Sequence, residues 1–242
     1  AACGDDRTGS DAPGRLGVAE AAPTLPEPEV DDGVLLRTAQ SLEYTALAVY
    51  DAAAGLGVLE TAELGLVERF VADHERHAGE IGALTGAVGA EEFRCANPFV
   101  MERAVAPILA ALEGSDDLHR DVLNIAHAFE SWAGASYQAL VGSLGAPELR
   151  REAIRIGGEE QRHAAVLAAA INPTQAVSPV LLGEVEQPDD AGFPVPYAIP
   201  ATFGQLTGIE LVVGARDEEG SRFSIQLQTP AANSLVYDYL SC

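Results

Sequence analysis

The chain contains no lysine: all 14 basic residues are arginine, and they stand against 37 acidic residues to give a net charge of -23. A surface of that sign repels nucleic acid and anionic membrane, which excludes both as partners for the folded part. The absence of lysine itself reads as a compositional bias and carries no functional weight. Long apolar runs are also missing. No stretch of about 18 apolar residues occurs, so no membrane-spanning helix is expected in the chain. Cysteine is scarce, with three in 242 residues. Apolar residues make up 48% of the chain, enough to bury a full core, and the length suits one domain with appendages better than two equal domains.

What is there begins with helical periodicity. From Val34 to Ala54, Leu36, Ala39, Ala46, Tyr50 and Ala53 recur at helical spacing until Gly55 and Gly57 end the run. A second helix is predicted from Thr61 to about Val88, through Val67, Phe70, His74, His77, Ile81 and Leu84. Residues 90–115 form a longer connection, with a short apolar helix from Phe99 to Leu112 that Pro107 should kink or break. After Ser115, a plausible N-cap, a third helix spans Asp117 to Val141, with Val122, Ala126, Phe129, Ala133, Tyr137 and Leu140 facing inward. Pro147 suits a first helical position, and the fourth helix runs to Ile171. Four long helices joined in two pairs by a crossover describe a four-helix bundle, here taken as residues 34–172. Beyond it lies a proline-rich extension, 173–242. Its alternating segments 209–213 and 222–228 read as a β-hairpin that should pack on the bundle, because a lone hairpin is marginal.

The two helix pairs carry one pattern. Aligning His77 with His163 lays D-H-E-R-H-A over E-E-Q-R-H-A, and Tyr50 follows Glu43 by seven residues as Tyr137 follows Glu130. Residues three or four apart share a helix face, so His74 projects with His77 and Glu160 with His163, each pair within an apolar stripe. Glu43 and Glu130 sit likewise among inward-facing residues of the first and third helices. Burying such groups without compensation costs several kcal/mol, roughly, or forces protonation. A bound cation is the simplest compensation, and mixed carboxylate and imidazole ligands favour iron, manganese or zinc over calcium or magnesium. A polar network without metal is the plainer alternative. His127 is a possible supporting group for Glu130, His119 a surface residue, and Tyr50 and Tyr137 core fillers rather than redox relays. Gly157 and Gly158 in mid-helix suggest a close backbone approach or a local bulge beside Glu160.

On Glu43, Glu130 and Glu160-x-x-His163 the chain resembles the ferritin-like di-iron carboxylate proteins, in which two helices each supply a Glu and two each supply Glu-x-x-His. It is similar in particular to the bacterial cell-envelope type, including the F-P-V-P and T-P-A-A-N-S-L-V-Y elements of the extension. The resemblance implies a mainly α, ferritin-like bundle with a long crossover between the second and third helices. It implies that Glu43 and Glu130 are terminal ligands, Glu160 a bridging carboxylate, and His77 and His163 nitrogen ligands, for one or two iron ions, with manganese or zinc as alternatives. His74 stands where the second bridging Glu belongs, leaving three carboxylates and three imidazoles. Neighbouring Asp73 and Glu75 point about 100° away around the helix, Asp73 being the better placed substitute. The activity implied is oxidation of Fe(II) by oxygen or peroxide. Cage storage and a rubrerythrin-like C-x-x-C electron-transfer centre are not expected. The rival is a non-enzymatic structural or stress-related envelope protein with a relic or zinc-stabilised core.

The start, A-A-C-G-D-D, resembles the end of a bacterial lipoprotein signal with Cys3 as the lipid acceptor, followed by an acidic tether over residues 1–33. The expected location is extracytoplasmic, with membrane contact only through that lipid; an ordinary disordered N-terminus is the alternative. Outside the cytoplasm Cys95 and Cys242 can pair, and elsewhere they would be buried thiols.

Overall fold

The computed structural model describes residues 29–171, 209–230 and 234–242. The acidic tether with Cys3, apart from its last few residues, and the proline-rich stretch before the hairpin lie outside the described residues. Four long helices are present: α1 (Asp32–Gly55), α2 (Thr61–Ala87), α5 (Leu118–Ser143) and α6 (Pro147–Ile171). Between α2 and α5 the crossover carries α3 (Pro98–Val100), a π-helical turn (Met101–Val105) and α4 (Ala106–Leu112). An antiparallel hairpin follows, β1 (Ile209–Val213) with β2 (Phe223–Leu227), in the register Ile209 opposite Leu227 and Val213 opposite Phe223.

The helix ends follow local chemistry. Asp31 caps α1, its carboxylate accepting the Val34 N–H at 2.9 Å, and Gly57 at φ 68° turns the chain out of the helix. At α5 the cap is Asp117, which accepts the Arg120 N–H at 3.1 Å, and not Ser115. Ser115 stands two residues too early; its hydroxyl instead accepts from Asp117 N–H and donates to the buried Asp121 at 2.6 Å. Pro107 does not break the crossover helix. Proline has no N–H and its ring crowds the carbonyl four residues back, and the chain accommodates this with a π turn in which Ala106 N–H reaches Met101 O.

The helices divide into two kinds. α2 and α6 bury one stripe each, whereas α1 and α5 are buried on nearly every side. A helix covered all round needs material on its outer face, and the crossover, hairpin and C-terminal segment supply it. Leu211, Val213 and Leu227 of the hairpin join Ile108 of α4 and Ile125, Phe129 and Trp132 of α5 in one apolar cluster. On α1 the buried hydroxyls of Thr38, Ser41 and Thr45 bond back to the preceding turn of the helix. They also receive the covering chain: Thr38 accepts Val236 N–H, Thr45 accepts Asn97 N–H, and Ser41 accepts the Asn97 amide. The buried Arg37 guanidinium donates to the carbonyls of Glu91, Val236, Tyr237 and Leu240. A disulfide between Cys95 and Cys242, with Cα atoms 5.7 Å apart, fastens the same edge.

Candidate metal centre

The six candidate ligands meet at mid-bundle. α1 supplies Glu43, α2 supplies His74 and His77, α5 supplies Glu130, and α6 supplies Glu160 and His163; none is more than 7% exposed. They form two groups able to hold a metal ion, Glu43, His74, His77 and Glu160 on one side, and His74, Glu130, Glu160 and His163 on the other. Within each group the ligand atoms lie within 4.8 Å of one another. Glu160 joins the halves, with Oε1 2.7 Å from His77 Nδ1 and Oε2 3.3 Å from His163 Nδ1. His74 joins them as well. Its Nδ1 is 2.7 Å from Glu43 Oε2 and its Nε2 is 3.2 Å from Glu130 Oε1.

Contacts this short are not all hydrogen bonds. Both oxygens of Glu160 and Nδ1 of His77 are buried without a hydrogen-bond partner. At 2.7 Å a proton or a cation must lie between the two atoms; without metal it is the proton that the facing carboxylates hold on His77, in a pair that lacks good hydrogen-bond alignment. The donor set, imidazole nitrogen with carboxylate oxygen, fits a transition metal, for which these orphaned atoms are candidate ligands.

A surrounding layer orients the six, and it repeats across the two halves. Tyr137 donates its hydroxyl to Glu43 Oε1, and Tyr50 donates to Glu130 Oε1, each helix pair reaching across to the other. The tyrosines fill the core, as their periodicity indicates, and in addition each fixes one oxygen of Glu43 or Glu130. The outer ring nitrogens of the histidines are paired reciprocally. His77 Nε2 meets Glu159 Oε2 at 3.0 Å, and His163 Nε2 meets Asp73 Oδ2 at 3.4 Å. A carboxylate on Nε2 favours the tautomer whose Nδ1 lone pair points inward. Arg69 and Arg76 hold Asp73, while Arg76 and Arg155 hold Glu159. Asp73 therefore does not take the place of the missing bridging carboxylate: it faces outward and supports His163. The aspartate and glutamate that precede the two ligand positions in the repeat were the signal for this layer.

The remaining candidates sort by burial. His127 is buried, with Nε2 3.4 Å from Ser131 Oγ, and belongs to neither ligand group. Burial holds its pKa down at about 3, so it is a neutral imidazole. His119 is 40% exposed and pairs with Glu63 at the surface. α6 passes through Gly157 without a bulge, and the glycine serves a close approach: a Cβ there would lie 2.8 Å from Tyr137 Cβ, against the residue that holds Glu43.

The electrostatics of the metal-free cluster oppose burial with pairing. For Glu43, burial raises the pKa, but the imidazoles of His74 and His77 outweigh it and bring the group down to about 2. Glu130 is lowered likewise by His74 and His163 against burial. Burial depresses the imidazoles, yet the facing carboxylates lift His77 to about 10, His163 to about 9 and His74 well above its ordinary value. Glu160 alone among the carboxylates is raised, by burial first and then by the negative charges of Glu43 and Glu130, despite the pull of His74. It is the one carboxylate of the set that the metal-free pocket does not want charged.

Fold and site together define a four-helix bundle with a carboxylate and imidazole cluster at its centre. A model of the family described as ferritin-like domain matches residues 31–173, and the chain belongs to that family. No curated protein and no solved structure matches the chain.

Proposed function

We infer that this ferritin-like protein binds one or two transition-metal ions between its four helices, and that with iron it oxidises Fe(II) by oxygen or peroxide. The observation that carries the reading is the set of orphaned buried atoms on Glu160 and His77. Glu43 and Glu130 would act as terminal ligands, each held by a tyrosine hydroxyl; Glu160 would bridge; His77 and His163 would bind through Nδ1. Glu43, Glu130, Glu160, His77 and His163 would hold the iron, and bound Fe(II) would supply one electron per ion to the oxidant. The chain's own part is to present fixed oxygens and nitrogens in a site closed to bulk water, and to carry the charge that accumulates as the iron is oxidised. Iron is the first expectation, with manganese and zinc as alternatives.

A second reading rests on His74. With an imidazole where the family pattern has a carboxylate, a neutral His74 leaves one negative charge fewer to balance an oxidised pair, which favours a redox-silent zinc ion that stabilises the bundle of a structural or stress-related protein. For location, the disulfide between Cys95 and Cys242 supports an oxidising compartment, and Cys3 would carry the anchoring lipid at the cell envelope.

The test is metal content. Protein purified without chelators is analysed for metal per chain beside a His77→Ala, His163→Ala double variant, and then loaded with Fe(II) without oxygen and exposed to oxygen or peroxide. Near two irons, lost in the variant, with oxidant consumed on mixing, supports the oxidase reading. One zinc supports the stabilising site, and no metal after loading refutes both.

A further inference from the structure

We propose that His74 is a two-ended ligand that joins the two half-sites, each of its ring nitrogens serving one ion. The inference rests on the metal-binding reading above. Its ground is geometric. His74 belongs to both groups of candidate ligands, a property it shares only with Glu160 among the six. Nδ1 faces the Glu43 half at 2.7 Å from Oε2, and Nε2 faces the Glu130 half at 3.2 Å from Oε1. His77 and His163 are built differently. Each turns one nitrogen inward and gives the other to an outer carboxylate, Glu159 or Asp73, and so each is a one-ended ligand. His74 is 1% exposed, and the carboxylates facing its two nitrogens are all from the ligand set itself: Glu43, Glu130 and, at 3.7 Å from Nδ1, Glu160.

An imidazole that binds two ions gives up its remaining N–H. On arrival of the second divalent ion the N–H bond breaks, an N–metal bond forms, and the proton passes to solvent. The ring then carries one negative charge. Three carboxylates and one such ring supply four negative charges, the number that balances two divalent ions. The departure at position 74 thus keeps the charge of a four-carboxylate centre and changes the spacing, since ions on opposite edges of a five-membered ring stand further apart than ions sharing one oxygen. It also shifts preference toward divalent ions that bind nitrogen strongly, copper and zinc above iron and manganese.

Copper(II) is the probe, because its unpaired electron reports whether two ions share a ligand. The full chain is loaded with Cu(II), copper per chain is measured, and the EPR intensity is integrated for wild type, His74→Gln and His74→Ala. The glutamine variant keeps one polar end and most of the volume, so it serves if the alanine variant does not fold. Two coppers per chain with intensity well below two spins in wild type, and intensity restored to one spin per bound copper in the variants, is the expected result. Two coppers with full intensity in wild type overturns the bridge and leaves the metal site standing. Reduced intensity that persists in both variants assigns the coupling to Glu160 and also overturns it. A single copper per chain, unchanged by either variant, refutes a two-ended His74. Failure to bind any ion refutes the metal-site reading together with the proposal.

Discussion

Replacing Glu160 by glutamine should make the metal-free protein more stable and the metal-loaded protein less so. Glu160 is fully buried, neither oxygen has a hydrogen-bond partner, and its pKa is raised by burial and by the charges of Glu43 and Glu130. An unsatisfied buried polar group carries a penalty of about 1–3 kcal/mol. Glutamine has nearly the same shape, removes the charge, and offers an amide that can donate to the neighbouring carboxylates. A gain of about 1 kcal/mol in metal-free stability follows, the lower end of that range, because the facing imidazoles lose a counter-charge. Metal works in the other direction. An ion at about 100 times its Kd stabilises the native state by about 2.7 kcal/mol, and loss of the bridging carboxylate removes most of this. Urea denaturation with chelator and with zinc, for wild type and variant, gives all four stabilities. With a slope of about 1–3 kcal/mol per molar urea, the crossing should be visible as midpoints that exchange order. A variant that is less stable in chelator and still stabilised by zinc would show that Glu160 is an ordinary member of an ion-pair network, and the reasoning from its orphaned oxygens would fall.

Three further outcomes are expected. The metal-free protein should lose stability above neutral pH: His77 and His163, raised to about 10 and about 9, hold protons that the unfolded chain releases near its ordinary value, so their contribution is complete below about pH 6.5 and is lost as pH rises through 9–10. In that window each retained proton tilts stability by about 1.4 kcal/mol per pH unit, measurable by denaturation at pH 7 and pH 9, while metal affinity should rise over the same range as protons stop competing. Gly157→Ala should destabilise by about 1–3 kcal/mol, its Cβ meeting Tyr137 at 2.8 Å, whereas Gly158→Ala, with nothing within 4 Å, should stabilise by up to about 1 kcal/mol; thermal melts of the two give opposite signs. Tyr137→Phe leaves an oxygen of Glu43 without its donor and should cost about 1.5–3 kcal/mol in chelator, with weakened zinc binding in a competition assay.

The bundle was legible in the sequence because its signals are local. Glycine and proline mark where α1 ends and α6 begins, and the apolar stripes of the four helices have helical period. The six polar residues stood out against those stripes. What escaped was set by distance through space. That Tyr50 and Tyr137 each reach a carboxylate on the far helix pair follows from how α1 packs on α5, which periodicity cannot express. The angle of Asp73 on its own helix spoke against a bridging role without showing what it does instead; its partner, His163, lies on α6. The use of Thr38, Ser41 and Thr45 on α1 became plain only with the crossover and C-terminal segment laid across them. The π turn before Pro107 is a compromise between a residue that rejects helix and flanking residues that pack as one.

The bond between Cys95 and Cys242 closes the chain between them, a sequence separation of 147, into a covalent ring. A single protease cut inside that ring leaves two pieces still joined by the disulfide. A cleaved molecule would migrate as one species without reductant and as two with it.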